Sequence, residues 1–511
     1  MAFQNGTISQ LLQSLDLGSP VAEVDRLLEV ARIETSAFSD LLADRVDLVP
    51  GTKGSGKSAL FRMIVEFLPG FLLKQRKVVV AHGVQALGDS VFQAFAAQFS
   101  ALTEEDFVDF WCIYLISLAH AQFVSSDDYA PMLSNAAAAI ERFRAECVRA
   151  GIPEIRAKRT LKDVLGWALT ALSKVRPRIR YEVPHEGGAF EVDLLGHPKE
   201  ATEERAASDQ PASLPRYVSD IRQTLEEVLK LSNLSLWLMV DRLDEVFPRR
   251  SDTERRALRG LLRAVKQFST PLIRVKLFIR DDMLDNLVST DAGFTALTHL
   301  TARQADTLRW EPEQIQAMLA KRFFANDGIA AFFNVDAERV NSSAAYRLQC
   351  LSKLFPPTVF RGTRQSSTLT WIYKRCSDGR GVVTPRDVLD LLLKAKQRQH
   401  DICSGDPDGE TAWLIGADAI QYGLEQLSEH KRRTYLQAEF PHLWQHMAKF
   451  IGGKTEYSEE ALVALLGKEA KPAAEDLVSI GFLQKKSGSA NTTYTVPFLY
   501  RYGMDMSQGK A

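Results

Sequence analysis

The chain has 511 residues, 45% of them hydrophobic and 25% charged, with a formal net charge of −1. Such a composition excludes a disordered polyampholyte, and the balanced charge excludes a whole-molecule field that would attract nucleic acid or an anionic membrane, so any such binding must be local. The five scattered cysteines (Cys112, Cys147, Cys350, Cys376, Cys403) are odd in number and lack C-x-x-C spacing, which argues against a disulfide framework and a zinc site.

A reducing, cytoplasmic setting is therefore expected. Met1-Ala2-Phe3-Gln4-Asn5 opens no basic-then-apolar leader, and no run approaches the roughly 18 apolar residues of a membrane span. Residues 1–35 read as an N-terminal helical segment, followed by an apolar run at 46–49 of strand character.

Next comes Gly51-Thr52-Lys53-Gly54-Ser55-Gly56-Lys57-Ser58, a full G-x-x-x-x-G-K-[ST] pattern, with a helical pattern opening at Ala59. Strand, loop and helix in that order are the context a phosphate-binding loop requires. Its glycines let successive N–H groups turn toward an anion, and the helix start adds a positive dipole end. Lys57 suits the terminal phosphates and the Ser58 hydroxyl suits Mg²⁺. The expected ligand is a nucleoside triphosphate with Mg²⁺, taken here as ATP; the plain alternative is a Gly/Ser/Lys surface turn.

A second strand is expected at 77–82 and a third at 235–240. The about 150 residues between them far exceed an ordinary crossover, so an inserted, mainly helical subdomain at about 84–230 is expected. Within it, 107–123, 135–149 and 158–174 read as helices, 178–183 and 189–194 as a hairpin, and 196–213 as a linker. Arg142, Arg144, Arg149, Arg156, Lys158 and Arg159 form a basic stretch suited either to a solvated helix pair or to nonspecific contact with nucleic acid.

Ser235-Leu236-Trp237-Leu238-Met239-Val240 runs into Asp241-Arg242-Leu243-Asp244-Glu245, the hhhhD-x-x-D-E form of a Walker B segment. Asp241 is expected to hold Mg²⁺ through water beside Ser58, and Asp244 and Glu245 to orient or deprotonate the attacking water. A helix cap with first-turn carboxylates is the other reading of the cluster. Arg255, Arg259 and Arg263 then recur at four-residue spacing, as either a solvated basic face with Glu254 or a source of a trans-acting arginine. Fourth and fifth strands are expected at 273–279 and 305–310. Alternating strands and helices predict an α/β fold with a parallel sheet, whose ligands bind at the carboxyl ends of the strands.

The remainder is expected to be helical, at 312–324, 345–354, 367–375 and 386–397, up to a linker at 404–409. Beyond it, helices at 443–451, 459–466 and 472–480 precede strands at 481–485 and 493–497, a winged-helix layout. Its third helix carries Lys471, Glu475, Asp476 and Ser479, none suited to base edges, and the wing has only Lys485 and Lys486. Sequence-specific DNA reading is disfavoured, while phosphate contact or protein docking stays open.

On the motifs at 51–58 and 241–245 and on two arginines, the chain resembles the AAA+/STAND-like branch of P-loop ATPases. The nearest kinds are origin-recognition-like and bacterial conflict-system ATPases, and the likeness covers most of 36–511 outside the insertion. Arg280, ending the fourth strand, resembles the sensor-1 position, and Arg386, at a helix start after Thr384-Pro385, resembles the lid's sensor-2 arginine. Trp310, before Glu311-Pro312, resembles the passage from core to lid. The D-x-x-D-E spacing departs from the usual adjacent Asp-Glu and leaves the base open between Asp244 and Glu245.

The resemblance implies a P-loop core at 36–325 with its insertion, a helical lid at 326–403 and a winged-helix domain at 404–511. It implies an ATPase switch in bacterial antiviral or stress defence, slow where the altered spacing weakens water activation, acting through a protein partner or effector or by homo-oligomer formation. A nucleic-acid-binding initiator or loader is the alternative. A small-molecule kinase fits less well, since Glu245 suits water activation.

Overall fold

The structure is a computed structural model, and it describes residues 2–83, 99–124, 129–150, 152, 214–243, 251–288, 301–362, 365–487 and 492–511. It is mixed α/β. The chain forms two compact units: Asp40–Pro50 with Leu60–Asp306, and Met1–Ser39 with Gly51–Ala59 and Thr307–Ala511. No helix among the described residues is long and apolar enough to cross a membrane.

The first of these units is built on a four-stranded parallel sheet of β1 (Leu48–Gly51), β2 (Val78–His82), β3 (Ser235–Val240) and β4 (Ile273–Arg280), in the order β1-β4-β3-β2. Val80 lies opposite Trp237, and Leu238 opposite Val275. The central strands are nearly continuous apolar runs because helices cover a parallel sheet on its faces. The strand expected at 305–310 is reduced to two isolated parallel bridges, Leu48 with Gln304 and Gly51 with Leu308. Just before it, Arg303 O accepts from Asp47 N at 2.7 Å while its guanidinium meets Asp44 and Asp47, so ion pairs reinforce a short backbone pairing.

Of the expected insertion, Glu104–Phe123 and Ala137–Arg149 are helical. Thr103 and Asp106 close a reciprocal cap at the start of Glu104–Phe123. From Asp106 to His120 every residue of that helix is buried. It lies so close to Asp252–Phe268 that a Cβ on Gly260 would come within 2.6 Å of Phe107 Cβ, and Trp111 Nε1 donates to Ala257 O at 2.9 Å. The helix at 158–174, the hairpin at 178–194 and the linker at 196–213 lie outside the described residues.

In the other unit, Asn5–Ser14 packs on the 21-residue helix Pro385–Gly405. That helix runs into the expected linker at 404–409, and the turn after it is tied down. Phe3–Gln4 pairs antiparallel with Glu410–Thr411, Asn5 N donates to Gly409 O and Gly6 N to Pro407 O. Turn residues here end a helix and receive the N-terminus, so their composition signals a reversal rather than a loose connection.

Toward the C-terminus, Pro441–Met447, Glu459–Leu466 and Ala470–Ser479 are helical. They accompany a four-stranded sheet of β5 (Lys454–Ser458), β6 (Gln484–Ser487), β7 (Thr492–Thr495) and β8 (Ser507–Lys510), in the order β8-β5-β7-β6. β6 and β7 are the expected hairpin pair. β5 and β8 carry polar, poorly alternating sequences, Lys-Thr-Glu-Tyr-Ser and Ser-Gln-Gly-Lys, which give little strand signal on their own.

Candidate functional site

The loop Gly51–Ala59 has the backbone its glycines allow. Gly54 and Gly56 sit at φ +84° and +100°, a region that side chains with a Cβ rarely enter. A Cβ on Gly51 would lie 2.5 Å from Ser55 Oγ, so the first glycine is needed for closeness rather than for φ. The helix Lys57–Arg62 begins within the loop and continues as a π turn, Met63–Phe67. Ser58 and Ala59, half-buried, lie in its first turn. Lys57 Nζ folds back onto the loop and donates to Gly51 O at 2.8 Å and Thr52 O at 2.9 Å. Thr52 Oγ1 and Ser55 Oγ are buried without a hydrogen-bond partner among the described residues. Inward glycines, an ammonium on the loop's own carbonyls and two orphaned hydroxyls are the donor set that a polyphosphate would engage, so the residues present fit such a group.

Three later segments of the same unit grip this loop. Trp310 Nε1 donates to Ser55 O at 2.7 Å and the edge of its ring lies beside Gly56, while its own carbonyl accepts from Tyr373 Oη at 2.8 Å. Arg386 lays its stem on Gly54, where a Cβ would meet Arg386 Cβ at 3.1 Å and Thr384 Oγ1 at 3.3 Å. Thr384 caps the helix Pro385–Gly405 by accepting from Asp387 N, and proline at the first position fixes the backbone that presents Arg386. The Arg386 Nε donates to Pro20 O at 3.2 Å. Its neighbour Asp387 pairs instead with Lys431 at 3.1 Å, so Arg386 is not consumed by the adjacent carboxylate. The third segment supplies Glu439, which pairs with Lys53.

In the sheet-bearing unit, Asp241 directly follows β3 and is 7% exposed. Arg242 after it has φ +59°, a left-handed turn at the strand's carboxyl end. Asp244 and Glu245 lie outside the described residues. Arg280 is the last residue of β4, is 4% exposed, and meets Asp282 with two nitrogens: Nε to Oδ1 at 2.9 Å and Nη2 to Oδ2 at 2.7 Å. The observed pair is buried and bidentate rather than a surface contact.

The basic residues after β3 are also committed. Arg259 meets Glu104 at 3.1 Å, Arg263 meets Glu104 at 2.9 Å, Arg255 meets Asp252, and Arg256 donates to Leu102 O. Arg259 and Arg263 thus serve the acidic first turn of Glu104–Phe123, while Arg255 stays partly exposed and pairs within its own helix. On the other helix, Arg142 pairs with Glu227, and Arg149 with Glu146 and Asp220.

Sequence reading placed Trp310 only at a junction and missed its bond to the loop, and it missed the Lys53–Glu439 pair. An indole has a single donor that seeks a partner when half-buried, which is the signal Trp310 offered. Nothing in the local sequence links Lys53 to Glu439. No family model matches this chain, and no curated protein matches it by sequence.

Proposed function

We propose that this protein is an ATP-binding and ATP-hydrolysing switch of AAA+/STAND type, with a P-loop core, a helical lid and a C-terminal winged helix. The observation that carries the reading is the loop itself: positive φ at Gly54 and Gly56, the ammonium of Lys57 on loop carbonyls, and buried Thr52 and Ser55 hydroxyls without partners among the described residues. In this reading Lys57 exchanges its contacts with the Gly51 and Thr52 carbonyls for charge-assisted bonds to phosphate oxygens.

Ser58 and Asp241 would hold Mg²⁺, which when bound would supply charge neutralisation at the phosphates. Asp244 and Glu245 orient or deprotonate water, the base being one of the two, and Arg280, held by Asp282, takes the sensor-1 role toward the γ-phosphate. Arg386, which ends on a carbonyl and a glycine, is the arginine that reports the state of the loop to the long helix behind it. A conformational change read by a protein partner, or self-assembly, follows as the output, and the resemblance suggests defence in bacteria as its setting.

The test is titration calorimetry with ATP·Mg²⁺. Wild type is expected to bind and Lys57→Ala to lose measurable binding while keeping its thermal melting point. Wild-type affinity in Lys57→Ala would remove the assignment.

A further inference from the structure

Phe498 stands between two guanidinium groups. Arg375 Cζ lies 3.3 Å and Arg501 Cζ 3.6 Å from the centroid of its ring. A carbon that close to the centroid lies over the ring's face, and two such carbons cannot share a face, so one cation covers each side. Arg375 ends the helix Thr368–Arg375 and Arg501 ends the short helix Phe498–Arg501. Both side chains are half-buried.

No carboxylate among the described residues pairs with either arginine. Burial lowers both below the ordinary 12.5, and for Arg501, brought to about 10, the charge of Arg375 adds to it. Arg501 Nε donates to Val496 O at 2.8 Å. Trp371, whose ring centroid is 5.3 Å from Arg375 Cζ, has its indole N–H buried with no partner among the described residues.

A purely structural account explains each arginine separately. The helix C-terminus attracts Arg375, and the Val496 carbonyl holds Arg501. Neither explains why a second half-buried cation is brought to the opposite face of one ring with no counter-charge among the described residues, an arrangement that repulsion and partial desolvation both oppose. An anion that accepts from the outer edges of both forks would reverse that balance, and planar guanidinium forks match tetrahedral oxyanions.

We propose that Arg375 and Arg501, spaced by Phe498, form a binding site for a phosphate-class oxyanion, built from none of the residues of the phosphate loop. The ring's two faces are covered by cations, so no base can stack on it, and recognition is of the phosphate without base preference. Two sources present that chemistry: free phosphate and the phosphodiester backbone of a nucleic-acid strand.

The full chain carrying Lys57→Ala, in which the phosphate loop is disabled, is the parent for the test. Inorganic phosphate is expected to raise its melting temperature, and adding Arg375→Gln or Arg501→Gln is expected to remove that rise. Fluorescence anisotropy with a short labelled oligothymidylate separates the sources. Binding that Arg501→Gln weakens about tenfold, the effect of one charged hydrogen bond, assigns the phosphodiester. Phosphate stabilisation without oligonucleotide binding assigns the free ion. Where Arg501→Gln fails to fold, Arg501→Lys keeps the charge but not the fork, and a severalfold loss is expected. The proposal is overturned if the parent responds to neither probe, or if the arginine variants respond as the parent does. Either result leaves the phosphate loop untouched, since wild-type ATP binding is read separately.

Discussion

In the unit that carries the parallel sheet, buried cations end on carboxylates: Arg280 on Asp282, and Lys276, wholly inaccessible to solvent, between Asp44 and Asp47 at 2.5 and 2.6 Å. In the other unit, Arg386 ends on the Pro20 carbonyl, Arg501 on the Val496 carbonyl, and Arg375 on aromatic faces. The contrast is one of job rather than of unit, because Arg322 and Asp25, on the same side as Arg386, form a closed pair that clamps the N-terminal segment. A cation paired with a buried carboxylate is already neutralised and resists exchange. One held by a carbonyl keeps its charge and can take an anion without displacing another.

The contrast predicts its largest effect at Lys276. Beside its two carboxylates, its Nζ donates to Val46 O at 2.7 Å and lies 4.6 Å from the Trp237 ring centroid. Among the described residues, Lys276→Ala leaves Asp44 and Asp47 with Arg303 and the more distant Arg274, and is expected to destabilise the sheet-bearing unit by about 3–5 kcal/mol, the cost of breaking a buried pair from one side. Denaturant unfolding measures it. A loss below about 1 kcal/mol, the range of exposed pairs, would mean the closed pairs are no firmer than surface ones.

A smaller effect is expected at Arg386. Arg386→Ala should weaken ATP binding about tenfold, taking the low end for a hydrogen bond to a charged group, and abolish any ATP-dependent compaction. Small-angle scattering with and without a nonhydrolysable ATP analogue reads the second part. A nucleotide response unchanged in Arg386→Ala would show that a carbonyl-held arginine is as inert as Arg280, and the comparison would lose its meaning.

What the sequence revealed follows the same line. Strands β2 to β4, the loop and the helix start at Thr384-Pro385 were legible because their signals are local: apolar runs, glycines that need positive φ, and a capping threonine before proline. Arg280 and Arg386 looked alike, each a lone arginine at the end of an element, because the partner that separates them is set by side-chain direction. Arg255, Arg259 and Arg263 were misleading for a like reason. Four-residue spacing gives a shared face, but Glu104, far earlier in the chain, decides what that face meets. The strands β5 and β8 were hidden by polar composition, their pairing supplied by neighbours rather than by periodicity.

The finest test concerns the neutral contact beside those charges. The indole N–H of Trp310 bonds Ser55 O, the ring edge rests against Gly56, and the Trp310 carbonyl is held by Tyr373, so one residue joins the loop to the helix Thr368–Arg375. Trp310→Phe keeps an aromatic ring and deletes only the donor. The Ser55 carbonyl then loses its partner and the loop gains freedom, a change of about 0.5–1.5 kcal/mol. Loop order matters to a ligand only if the loop binds one, so the expected result is ATP affinity about threefold weaker with little change in melting temperature. Equal affinities would mean that the loop holds its shape from the glycines alone. A large fall in melting temperature with unchanged affinity would assign Trp310 to packing and remove it from the link between the loop and the helix Thr368–Arg375.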